Sequence, residues 1–368
     1  DLNESLEKDF SFYEAYKNRG LVFCKLEKYE DALSDFNNFI KNNPEDSECF
    51  MYRGKLYIDL EKYQSANADF TQSIKLNSKN GECFFQMGRL NFILEKYQEA
   101  ISDLNKAINI DPQLYNAFYL RAQIFLHLGK EEDAIDDLSK ALKLDPSNED
   151  FLNFRSQIYQ KLGEHKKSID DASKILIFNP SSKVGLINRA HVYIHLEKYE
   201  EAISDCNRLI ELDPYTAEFF LQRGVCYNEM NQNDKAILDF NKAIELNPKD
   251  QDSYWYRVSL NLKNEQYQDV ISDCNKILEI NTEPSNLYKG IIERGFCYSK
   301  LEKYDEAISD FNRAIEIDPN ESDAFCERGK IFREINRLDE AISDFNRAIE
   351  IDPNESDAFC ERGKIFQE

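Results

Sequence analysis

Proline stands at positions 44, 112, 146, 180, 214 and 248, and the 204 residues from Pro44 to Pro248 are six steps of 34. Only the slot at Ser78 is empty. The next match, Pro319, follows after two steps plus three residues, and Pro353 comes 34 later. Residues 305–332 recur without change as 339–366. A fixed period of this length signals a stack of like units, each burying its apolar face against the next, and a single globular core does not produce it. The 368-residue length, which otherwise suggests two or three domains, therefore sets the number of units instead.

Each period holds two amphipathic stretches. In the unit that opens at Ser322, Phe325, Gly329 and Phe332 share one helical face, as do Ala341, Phe345 and Ala348 in the second stretch. The link from Glu334 to Leu338 is short enough to force the two helices antiparallel. Asp352-Pro353 ends the second helix, because proline cannot continue it and disfavours helix in the residue before. Ser322 or Asp323 is the expected cap of the first helix. The expected class is all-α, an α-solenoid of antiparallel helix pairs.

Two units carry the pattern in full: Phe220, Gly224, Tyr227, Ala236, Phe240, Ala243, Pro248, and Ile291, Gly295, Tyr298, Ala307, Phe311, Ala314, Pro319. This pattern resembles the tetratricopeptide repeat. Ten repeats fit, opening near residues 13, 47, 81, 115, 149, 183, 217, 251, 288 and 322, with an eleventh opening near 356. The expected layout is a helical lead-in at 1–12, seven regular repeats over 13–250, and an irregular eighth over 251–287 with a three-residue insertion. Two regular repeats and the first helix of an eleventh then occupy 288–368. The resemblance implies a right-handed superhelix whose concave face is lined by the first helix of each repeat.

Small residues occupy two slots where paired helices must approach closely, for example Gly54 with Ala66 and Gly224 with Ala236. Just before the first slot, nine of ten repeats carry arginine where the family pattern has an apolar residue; Met87 is the exception. Sixteen residues further on, every repeat has aspartate. An arginine beside a helix pair calls for a carboxylate, and its fork suits one. The pairs Arg53–Asp69, Arg121–Asp137, Arg223–Asp239 and Arg328–Asp344 are thus expected to tie helix to helix; a ligand-binding charge ladder is the other reading. The repeat at 251–284 departs most: Val258 and Val270 fill both small slots, Asn261 replaces the aromatic, and Thr282 replaces proline.

The chain carries 46 Lys+Arg against 69 Asp+Glu, a net charge of −23. Such a surface repels phosphate backbones and favours basic protein segments, so no nucleic acid is expected as partner. No apolar run approaches the roughly 18 residues of a membrane span, and no membrane partner is expected. The nine cysteines include no Cys-x-x-Cys pair and are read as soft core side chains in a reducing, cytoplasmic setting. The chain does not begin with Met, so the lack of a visible secretory leader weighs little. His191 and His195 share a helix face but have no obvious third ligand, so no metal and no cofactor are expected. No phosphate loop, G-x-S-x-G or H-E-x-x-H occurs, and the carboxylates single out no acid–base pair, so no enzymatic activity is expected.

Candidate binding residues are first-helix side chains that face away from the paired helix. They are Met51, Phe85, Tyr119, Ile187, Leu221 and Trp255 at the fifth position of successive repeats, and Phe92, Leu126, Ile194 and Leu262 at the twelfth. An apolar row that hairpin packing does not require points to a groove for an extended peptide or an amphipathic helix; partial self-burial is the plainer account. The resemblance also raises the co-chaperone clamp for heat-shock chaperone C-termini. Lys17 sits in one clamp slot, but Leu21, Tyr52, Glu82 and Gln86 stand where Asn, Asn, Lys and Arg are needed, so that partner is not expected. The expected function is a non-catalytic scaffold or adaptor. The alternatives are a substrate-recruiting arm of a larger enzyme and a structural subunit of a large assembly, such as a ciliary or microtubule complex. The sequence leaves self-association open: a chain that stopped inside the eleventh repeat would expose apolar surface there.

Overall fold

The computed structural model describes residues 13–280, 283–354 and 356–366. The expected lead-in at 1–12 and the Thr282 slot lie outside the described residues. Among those described there are 21 helices and no strand. The chain divides into two compact units, Asp1–Asn188 and Arg189–Glu368. Each unit is a solenoid of helix pairs, as where Ser47–Asp59 packs on Tyr63–Leu76 in the first unit and Ala217–Glu229 on Asn233–Leu246 in the second.

In the first unit the pair Ser47–Asp59 and Tyr63–Leu76 is typical. Asp46 caps the opening helix by accepting from the Cys49 backbone N–H at 2.7 Å, and Asn80 and Asn148 do the same for the helices after them. The helix ends at a left-handed residue, Glu61, with φ 57°. Lys62 N donates to Tyr57 O at 2.8 Å and Glu61 N to Ile58 O at 2.9 Å, which satisfies the last carbonyls and reverses the chain. The same left-handed turn recurs in ten repeats, and only Gly129 and Gly163 are glycine there.

The small slot holds because its partner is large. A Cβ on Gly54 would stand 2.6 Å from the Phe70 ring. In the second unit a Cβ on Gly224 would stand 2.7 Å from Phe240. Where the slot is larger, the residue sixteen places on is smaller: Leu138 follows Ala122, Ala172 follows Ser156, and Cys206 follows Ala190. Val258, which looks disruptive in sequence, faces Cys274 in a shared core, and both are buried. Ala122 with Leu138 and Val258 with Cys274 keep a combined volume close to that of glycine with phenylalanine, as dense packing favours.

One local expectation is corrected. The cap position before the Ser322–Glu334 helix is Glu321, and Ser322 is already the first helical residue. The extra residues near 285 do not form a loop. They extend the next first helix to Pro284–Lys300, 17 residues against 13 in the usual repeat, because proline at the first helical position has no N–H to lose.

Candidate functional site

Nine arginines of the small-slot helices each donate two hydrogen bonds, at 2.5–2.8 Å, to the aspartate sixteen residues on. The aspartate side chains are 2–8% exposed and the arginines 13–25%. Hydrogen bonding to Asp69 holds the Arg53 guanidinium above its ordinary pKa. The fork is bidentate, so it fixes orientation as well as charge.

A second role of these arginines is not evident from the arginine–aspartate spacing. The free guanidinium nitrogen reaches back to the preceding repeat. Arg53 donates to Asn37 Oδ1 at 2.7 Å, Arg155 to Ser139 Oγ at 2.8 Å, and Arg223 to Asn207 Oδ1 at 2.6 Å. Arg294 donates to Asn275 at 2.5 Å across the insertion. Arg53, Arg121, Arg155, Arg223, Arg257, Arg294 and Arg328 therefore each tie both helices of their own repeat to the second helix of the repeat before. The signal in sequence was a hydrogen-bonding residue two places after the ladder aspartate.

The ten candidate binding residues fall into two groups. Met51 and Leu221 are buried in cores, packed with Phe70 and Phe240 respectively. Phe85, Phe92, Tyr119, Leu126, Ile187, Ile194, Trp255 and Leu262 are half-buried, and none is fully exposed. In the first unit, Phe92 and Leu126 come together with Gln123, His127 and Phe154 around a hollow of 260 Å³. The Phe92 and His127 rings lie 5.8 Å apart there.

In the second unit Leu262 lines a cleft of 500 Å³ built mainly from the first helices of four successive repeats. Tyr267, Ile292 and Phe296 add apolar surface. Glu265, Glu293, Asp323, Glu327 and Asp357 ring it, with Lys263 and Lys330. Burial holds the Glu293 carboxyl above its ordinary value, with Lys289 opposing. The other candidates line neither opening; Trp255 instead carries the Lys289 ammonium 4.4 Å above its ring. Ile292 belongs to the fifth-position row; Phe296, one helical turn further on, does not, and its place at the cleft follows from how neighbouring first helices pack.

Lys17, the clamp-like residue, is held by Asp46 and Glu48, each at 3.0 Å. The His191 and His195 rings meet edge to face at 5.9 Å. Among the described residues no group of three or more His, Cys, Asp or Glu is placed to hold a metal ion. No described helix is long and apolar enough to cross a membrane.

Antiparallel helix pairs recurring along the chain, left-handed turns and a repeated close contact define a helical-repeat solenoid. Signatures described as tetratricopeptide repeat match residues 17–75, 81–114, 115–148, 184–216, 217–250 and 289–321, and one described as TPR repeat matches 329–368. Together they span well over half of the chain, which belongs to the tetratricopeptide repeat family. No curated protein matches the chain. Among solved structures it is similar to the C-terminal part of a TPR repeat-containing protein from Cytophaga hutchinsonii, at 18% identity and TM-score 0.57, over 64% of this chain and 97% of that one. It is also similar to a tetratricopeptide repeat protein from Parabacteroides merdae, at 22% identity and TM-score 0.46, over 69% and 99%. A third is YrrB, described as a TPR protein with an unusual peptide-binding site, at 21% identity and TM-score 0.46, over 51% and 97%. These likenesses concern fold. The family and fold are generally non-catalytic, and the chain is a protein-interaction scaffold.

Proposed function

We propose that this scaffold holds an extended or helical segment of a partner protein in the groove lined by its first helices, and that the segment is basic with apolar anchors. The observation that carries this reading is the 500 Å³ cleft, where Leu262, Ile292 and Phe296 are ringed by five carboxylates. Apolar side chains of a partner fill the floor, and its lysines or arginines meet the rim. The net charge of −23 speeds the approach of such a segment. The 260 Å³ hollow at Phe92, Leu126 and Phe154 is a second anchor point of the same kind in the first unit.

The test is photo-crosslinking in native extract, with a benzophenone amino acid at Ile292 or Phe296 and a control at Leu238, which is 68% exposed on a second helix. The reading expects crosslinked segments rich in lysine or arginine and in large apolar residues, from the two cleft positions only. Equal labelling from Leu238, or acidic and polar segments alone, contradicts it.

A further inference from the structure

The arginine ladder is broken once, at Met87, and the break leaves its acceptors in place. Asp103 stands where the other ladder aspartates stand, and Phe84 where Phe50, Phe118 and Phe220 carry a guanidinium at 5.5–5.7 Å. Thr71 occupies the back-strut slot that Asn37 fills for Arg53. Where the guanidinium would sit there is a pocket of 440 Å³, lined by Thr71, Phe84, Met87, Asn91, Asp103 and Lys106, among others. The Asp103 side chain is 14% exposed, against 2–8% for its paired counterparts.

We propose that this cradle takes an arginine side chain from a protein partner, at a site distinct from the first-helix groove. Nine repeats of the same chain show which group these acceptors hold, and in the tenth the carboxylate, Asp103, is the more exposed for lacking it. Asp103 accepts from Asn91 at 2.9 Å and from Lys106 at 3.1 Å. A carboxylate has about four acceptor sites, so capacity remains. Asp171 demonstrates this, since it accepts Lys174 at 3.2 Å together with both nitrogens of Arg155. Lys106 also places its ammonium 5.5 Å above the Phe84 ring, which marks the spot as one that attracts a cation. Its side chain is 53% exposed and can swing away. An incoming guanidinium would lie on Phe84 and fork onto Asp103, a geometry lysine cannot reproduce.

The chain has three methionines, at 51, 87 and 230, so methyl-labelled methionine in the full chain gives a reporter inside the cradle and a remote one at Met230. The titrant is the capped tripeptide acetyl-Gly-Arg-Gly-amide, with its citrulline counterpart as the uncharged isostere. The Met87 methyl signal is expected to shift saturably with the arginine peptide and not with the citrulline one, while Met230 stays still. Asp103→Asn should abolish the shift, and Lys106→Ala should tighten binding about threefold by vacating the cradle. Met87→Arg, which restores the ladder, should abolish binding of the fluorescent-labelled arginine peptide and leave the fold intact. Equal shifts with citrulline, no shift at Met87, or undiminished binding to Met87→Arg would overturn the proposal.

Discussion

Arg294 donates to Asn275, 19 residues back, the same bond that Arg257 makes to Asn241, 16 residues back. The insertion before Arg294 has lengthened a helix by about a turn at its outer end, yet the strut between repeats is kept. The ladder thus governs the stacking of neighbouring repeats as well as the pairing inside each one. In a stack stabilised by nearest-neighbour contacts, such a bond acts locally. Asn207→Ala should cost about 1 kcal/mol and Arg223→Ala about 3 kcal/mol, because the second change strands the buried Asp239. Arg223→Lys should recover little, since an ammonium cannot make the fork and the strut together. Urea unfolding checks all three, with loss of a single transition expected for Arg223→Ala.

Gly224 and Phe240 form a size-matched pair, with 2.7 Å between an added Cβ and the ring. Gly224→Ala should destabilise by about 2 kcal/mol through overpacking. Adding Phe240→Leu should return most of that loss, because Ala122 opposite Leu138 is already such a combination. A double-mutant cycle by thermal melting reads the coupling; additive losses would refute the size match.

The cysteines should separate by reactivity. Burial pushes the Cys49, Cys206 and Cys297 thiols up to about 12 and those of Cys83 and Cys226 to about 11, so none is a thiolate at neutral pH. Cys360 is exposed and Cys24 half-buried. Ellman's reagent at pH 8 should label Cys360 first and Cys24 more slowly, with the buried thiols reacting only on unfolding.

Glu293 supplies a pH test. Its folded pKa is raised above the ordinary 4.5 by burial. A raised carboxyl contributes stability that is complete below its unfolded pKa and is lost as pH rises through the folded value. Glu293→Gln should therefore raise the melting temperature at pH 7, and the gain should vanish as pH falls below 4.5. A basic segment bound beside it reverses the cost, so the same variant should weaken binding at pH 7.

The period, the helix pairs and the arginine–aspartate spacing were legible because each repeats along the chain. The turns were less so, since eight of the ten left-handed residues are Glu or Asn, such as Glu61 and Asn231, and no glycine signals the reversal. Val258 read as a disruption because its compensation, Cys274, lies sixteen residues away. The binding row was only partly legible. Position within a helix predicts which way a side chain points, but how neighbouring first helices pack decides whether it is covered. Met51 and Leu221 are covered and Leu262 is not, although all were selected by the same rule.

The most direct measurement of the central claim is the affinity of a basic amphipathic peptide for the full chain by fluorescence anisotropy, at several salt concentrations, compared with Ile292→Ala plus Phe296→Ala and with Glu293→Gln plus Glu327→Gln. The account predicts that the apolar double variant binds at least tenfold more weakly, about 1.4 kcal/mol or more. It also predicts that the carboxylate double variant loses much of the salt dependence. Unchanged affinity in both variants would contradict the placement of recognition in this cleft.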